Sequence, residues 1–161
     1  MDLWFLQDAH RFALEREAIV HLMRSVDWLH EVEWGIGKQV YVDARLQVAG
    51  HIYPIRLTYP SLFPSVPPTI RPQNTDERWS AHQYSDGTLC LEWGPDNWRP
   101  NVTGAQMLAS AYTLLEIEWS HDHSIRDVAP SRHYQTLGQE LRGNVARFFV
   151  TDALATFLIS L

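Results

Sequence analysis

Val40-Tyr41-Val42-Asp43-Ala44-Arg45-Leu46-Gln47-Val48, then Ala49-Gly50-His51, then Ile55, Leu57 and Tyr59 at alternate positions: this stretch decides the fold. Apolar residues recur with a strict period of two, the repeat of a strand that buries one face. The short turn at Ala49-Gly50-His51 between two such runs predicts an antiparallel hairpin within a meander. Working outward toward the C-terminus, prolines at 60, 64, 67, 68 and 72 remove ladder donors and predict an ordered extended loop or edge strand. Thr69-Ile70-Arg71 predicts a brief last strand. From Gln73 to Asn101 no period is visible, yet this segment holds Trp79, Trp93, Trp98 and the single cysteine. A long irregular segment inside a compact domain is usually functional.

Thr103-Gly104-Ala105-Gln106 fits a capping box, and Met107, Leu108, Ala111, Leu114 and Leu115 give the helix it opens one apolar face. A last helical region is predicted from about Tyr134 to the end, with Leu137, Leu141, Val145, Phe148, Leu154 and Leu158 at helical spacing. Toward the N-terminus, Trp4 to Trp28 reads as one helix. Phe5, Phe12, Ile19, Leu22, Met23 and Val26 lie on its apolar face, and Arg11, Glu15, Arg16, Glu17 and Arg24 on the opposite one. Gly35 and Gly37 punctuate a turn. The order of helix, antiparallel strands, irregular loop and helices predicts an α+β class in a single domain over 1–161.

Composition narrows the function. The 161 residues are 45% hydrophobic and 20% charged, which is globular and not disordered. Nineteen acids against 13 bases give a formal charge of −6, a poor basis for nucleic-acid binding. No apolar run reaches the roughly 20 residues of a membrane span. The start, Met1-Asp2-Leu3-Trp4, lacks signal-peptide features. One cysteine allows no intrachain disulfide, so a reducing, cytoplasmic compartment is the simplest expectation. His121 and His123 flank Asp122, but two histidines without further patterned ligands make no metal site, and no cofactor is expected.

Cys90 is the candidate reactive residue. Between Leu89 and Leu91 it reads either as a small buried hydrophobe or, after the turn signal Ser85-Asp86-Gly87 and near His82, Asp86, Glu92 and Asn97, as a functional thiol. An extended Leu89-Cys90-Leu91 argues against a papain-like hydrolase, whose cysteine opens a helix.

Three motifs in one order carry a family resemblance. Tyr59-Pro60-Ser61-Leu62-Phe63-Pro64-Ser65-Val66-Pro67-Pro68, Gly87-Thr88-Leu89-Cys90-Leu91 and Trp98-Arg99-Pro100-Asn101-Val102-Thr103 resemble the core of ubiquitin-conjugating enzymes. The last begins eight residues after the cysteine, at the family's spacing, and the motifs cover about a third of the chain. The resemblance implies a ubiquitin-conjugating-like fold with a long active-site loop. It makes Cys90 the thioester-forming nucleophile. His82 stands eight residues before it, where the family usually has the asparagine of His-Pro-Asn, and inherits the oxyanion role. Asp122, 32 residues after Cys90, stands where the family often places an acid on the loop over the site to orient the incoming amine.

Histidine for asparagine, with Asp86-Gly87-Thr88-Leu89-Cys90-Leu91, resembles the bacterial branch found in antiphage or ubiquitin-like conjugation operons. The implied partners are an activating enzyme, the C-terminus of a ubiquitin-like protein or of a nucleotide cyclase as cargo, and a target protein amine. The alternative is a non-catalytic binding module of the same fold. One oddity fits a carrier of activated acyl groups. Of the 13 bases 12 are arginine, and Lys38 is the only lysine. Genome composition explains this bias, and so would avoidance of self-acylation, since arginine stays protonated and cannot attack.

Overall fold

The computed structural model describes residues 3–123. They belong to the first of two compact units, Met1–Pro130. The helix expected from Tyr134 onward, and the reach of one domain over 1–161, lie outside the described residues. Element order is α1 (Trp4–Gln7), α2 (Ala9–Ser25), β1 (Leu29–Ile36), β2 (Val40–Val48), β3 (His51–Tyr59), β4 (Thr69–Pro72) and α3 (Gly104–His123). The strands form one antiparallel sheet in the order β1-β2-β3-β4. This is the α+β class the sequence predicts. None of the helices is long and apolar enough to cross a membrane, among the described residues.

The hairpin forms at the predicted position, with β3 beginning at His51. Val40, Val42, Ala44, Leu46, Val48, Ile55, Leu57 and Tyr59 are all buried. The two-residue turn Ala49-Gly50 has both φ angles positive, which matches the right-handed twist of the flanking strands. The predicted capping box also forms: Thr103 N–H donates to Gln106 Oε1 at 2.9 Å and Gln106 N–H to Thr103 Oγ1 at 3.4 Å.

Three expectations are corrected. The first helix is two, because Asp8 ends α1 and caps α2, its carboxylate accepting from Arg11 N–H at 2.8 Å. A strand, β1, precedes the turn at Gly37. Its period is broken by a bulge between His30 and Glu33 and by Gly35, over which the Tyr41 ring packs. And Glu15, assigned by period to the polar face of the helix, lies fully in the core.

Glu15 is buried because three segments converge on its carboxylate. Oε2 accepts from Tyr59 Oη at 2.8 Å and from Gly104 N–H at 2.7 Å, and Oε1 lies 2.8 Å from Arg11 Nη2. Burial pushes this carboxyl up, while the Gly104 N–H, the Tyr59 hydroxyl and Arg11 pull it back. Gly104 is required by closeness: a Cβ there would stand 2.1 Å from Tyr59 Oη. Around the pair, Trp4, Phe63 and Trp34 pack on the Tyr59 ring at centroid distances of 5.6, 4.9 and 5.8 Å. Arg11 continues the link, donating to the carbonyls of Pro100 and, at 2.7 Å, Val102, with its guanidinium over Phe63.

Removing one partner of a buried ion pair strands the other. Glu15→Ala should lower unfolding free energy by about 3 kcal/mol or more in a denaturant titration. A loss below about 1 kcal/mol, the value of an exposed pair, would contradict this convergence.

Candidate active site

Cys90 sits on a short hairpin outside the main sheet. Its outgoing and returning arms meet through a bridge of Gln83 with Leu89, and Cys90 N–H donates to the His82 carbonyl at 2.7 Å. The turn between them is closed by Gly87 N–H to the Tyr84 carbonyl at 2.9 Å and Tyr84 N–H to the Thr88 carbonyl at 2.8 Å. Asp86 holds the same turn, accepting from Thr88 N–H at 2.9 Å and Thr88 Oγ1 at 3.1 Å. Gly87 has φ of +90°, a conformation side chains with a Cβ resist. Arg78 braces the outside of the turn by donating to the Ser85 carbonyl at 2.9 Å.

The returning arm is sewn to the core. Leu89 N–H donates to the Ile70 carbonyl of β4 at 2.8 Å, and Leu89 and Leu91 are both buried. Strand alternation then turns Cys90 away from the core, and it is half-buried. Of the two readings open from sequence, the core hydrophobe is therefore set aside: the flanking leucines do the packing.

Hairpin register also says which side chains share a face. With Gln83 opposite Leu89, His82 stands opposite Cys90 and Tyr84 opposite Thr88, all on one face. Tyr84 is thus the diagonal neighbour of Cys90, within reach of a long aromatic side chain. Its Oη lies 3.6 Å from Cys90 Sγ. The bond to Cys90 is the largest cause pushing the Tyr84 phenol up to about 12, followed by burial and the negative charges of Cys90, Asp96 and Asp86. Sequence reading missed Tyr84. The signal was there: a turn centred on Ser85-Asp86 with a cysteine six positions after a tyrosine puts the two on one face.

His82 stands opposite Cys90 in the hairpin register, and its backbone is fixed. Its N–H donates to Ser80 Oγ at 2.8 Å, and that hydroxyl donates to Glu118 Oε1 of α3 at 2.7 Å. No hydrogen bond joins the His82 ring to the sulfur among the described residues. Asp122 is not on a loop. Its backbone lies in the last turn of α3, one turn beyond Glu118, because no glycine or proline in Glu116–His123 stops the helix. The same helix that anchors Ser80, two residues from His82, therefore also carries Asp122.

Beyond the thiol the chain stays pinned. Glu92 N–H donates to Ser110 Oγ of α3 at 2.9 Å, and the Asn97 amide donates to the Glu92 carbonyl at 2.6 Å. Trp98 is half-buried and packs beside Phe63, its Nε1 donating to the Pro64 carbonyl at 2.8 Å, so it acts as a packing residue that joins the proline-rich loop to the segment after Cys90. Trp119 lies with its ring 4.2 Å from His51 at the β2–β3 turn.

No family model matches the chain. Among solved structures it is similar to human ubiquitin-conjugating enzyme E2 G1, with a TM-score of 0.49 and 19% identity over 64% of this chain and 92% of that one. It is also similar to the Vps23 UEV from a complex with ubiquitin, with a TM-score of 0.44 and 17% identity over 67% of this chain and 82% of that one.

The positive φ at Gly87 sets the turn that presents the thiol. Gly87→Ala should destabilise the chain by about 1–2 kcal/mol in a denaturant titration, since a Cβ there meets strain and not a clash. An unchanged midpoint would mean that the turn adapts freely.

Proposed function

We propose that this chain is a ubiquitin-conjugating-like thioester carrier, with Cys90 as the acceptor thiol. The observation that carries this reading is the placement of Cys90. The thiol is half-exposed between two buried leucines, on a braced hairpin that puts His82 and Tyr84 on its face. A core cysteine needs none of this, whereas an acyl acceptor needs a thiol that is reachable and rigidly held.

Charging is a transthiolation. The Cys90 thiolate attacks the acyl carbon held on an activating enzyme, a new C–S bond forms, and the activating enzyme's sulfur leaves with its electron pair. In discharge a target amine attacks the same carbon, through a tetrahedral oxyanion, and Cys90 departs as thiolate. His82 is the candidate oxyanion donor, since an imidazole N–H can serve where the family has an asparagine amide. Asp122 is the candidate acid that orients the amine. The cargo we assign is the C-terminal carboxylate of a ubiquitin-like protein or of a nucleotide cyclase in a bacterial antiphage setting, on the motif resemblance around Cys90.

The position of the lone lysine fits the same reading. Lys38 lies in the turn joining β1 to β2, at the opposite edge of the sheet from β4, to which the Cys90 arm is bonded. The basic side chains of the Cys90 region, Arg78 and Arg99, are arginines and cannot capture the acyl group.

The test is a charging reaction with an activating enzyme, ATP and a ubiquitin-like protein, read on a non-reducing gel. We expect a reductant-sensitive adduct in the parent and none in Cys90→Ala. His82→Ala should charge within a few-fold of the parent yet discharge to free lysine about 100-fold more slowly, the usual effect of losing an oxyanion donor. An adduct that persists in Cys90→Ala would overturn the carrier reading. Failure of the parent to charge, with partner binding intact, would favour a non-catalytic binding module.

A further inference from the structure

We propose that the Tyr84 hydroxyl is a catalytic hydrogen-bond donor to the Cys90 sulfur, holding it in the states in which it is an anion. The inference rests on the carrier reading for its chemistry, but its geometry is independent of that reading. Tyr84 Oη and Cys90 Sγ are 3.6 Å apart, on one face of a hairpin whose register is fixed by backbone bonds on both sides of the tyrosine. Tyr84 is 47% exposed and lies outside the buried core. Its hydrogen bond through the hydroxyl is to the sulfur.

The direction of that bond follows from chemistry. A neutral thiol and a neutral phenol can each donate to the other. A thiolate can only accept, so the phenol becomes the donor, and such bonds to a charged partner are stronger than neutral ones. The phenol keeps its proton throughout, being pushed up to about 12. Of the groups facing it, Asp86 and Asp96 are negative and disfavour its ionisation, and His82 stands opposite the sulfur on the same face.

The sulfur is an anion twice in the cycle. Before charging, its electron pair makes the new C–S bond, the thiol proton having passed to solvent. In discharge the amine nitrogen bonds the carbonyl carbon, the C–S bond breaks, its electron pair returns to Sγ, and the proton of the amine goes to water or a nearby carboxylate. Between these events the sulfur is a neutral thioester and a poor acceptor. A donor at Sγ therefore favours the nucleophile and the departing thiolate over the thioester. In discharge, charge develops on Sγ as the C–S bond breaks, and binding that strengthens where charge develops lowers that barrier.

The chain has one cysteine, so alkylation by iodoacetamide reads Cys90 alone. Tyr84→Phe removes the oxygen and keeps the ring. We expect alkylation of Tyr84→Phe at pH 7 to be about three- to tenfold slower than in the parent, with the two rates converging above pH 10. Thr88→Ala serves as the second variant. It loosens the same turn by removing the hydroxyl that bonds Asp86, without touching the sulfur, and should alkylate at the parent rate. Superimposed pH profiles for Tyr84→Phe and the parent would overturn the proposal. So would an equal slowing in Thr88→Ala, which would assign the effect to a looser hairpin. If Tyr84→Phe slows alkylation while the parent fails to charge, the carrier reading falls and the Tyr84–Cys90 pair stands.

Discussion

The carboxylate of Glu15 is the point on which the architecture turns. A charge taken out of water is costly unless partners replace the lost hydration. Here two donors come from distant parts of the chain, Tyr59 at the end of β3 and the amide of Gly104 at the start of α3, while Arg11, one turn away on the same helix, supplies an ion pair. Satisfying one carboxylate therefore docks α2, the sheet and α3 to one another. It also explains two residues that look unremarkable in sequence. Gly104 must lack a Cβ for Tyr59 to reach the site, and Tyr59 must be tyrosine and not phenylalanine to supply the hydroxyl.

The same arrangement extends to the region around the thiol. Arg11, held by Glu15, donates onward to the carbonyls of Pro100 and Val102, which end the segment that begins at Cys90. Trp98 fixes that segment to Pro64, and Leu89 fixes its beginning to β4. The segment from Leu89 to Val102 is thus held at both ends, with Cys90 half-buried within it. Rigid support beneath a half-exposed thiol suits transfer chemistry, which needs the acyl group held at one orientation for an incoming amine.

Much of this was legible in the sequence, for identifiable reasons. The β2–β3 hairpin announces itself because both strands bury a single face and the turn is two residues long. The capping box before α3 has the same clarity, since Thr103 and Gln106 stand at a spacing with one geometric meaning. β1 was hidden because a bulge and Gly35 break its period. Glu15 was placed on the wrong face of its helix because periodicity records polarity, and a buried ion pair violates the rule that polar means exposed. At the site, motif spacing singles out Cys90 and His82, which the hairpin register sets opposite one another. Asp122 was expected on a loop because the family has one there, yet this chain lacks the prolines that would make it. Tyr84 could be reached only by extending the Ser85-Asp86 turn into a hairpin register, which puts it on the face of Cys90.

The carrier reading is tested most directly by the intact mass of the chain after incubation with an activating enzyme, ATP and a ubiquitin-like protein. A carrier gains one cargo, less one water, at Cys90; mild thiol treatment returns the original mass, and Lys38 stays unmodified. An adduct that survives thiol and maps to Lys38, or to any residue but Cys90, would contradict it.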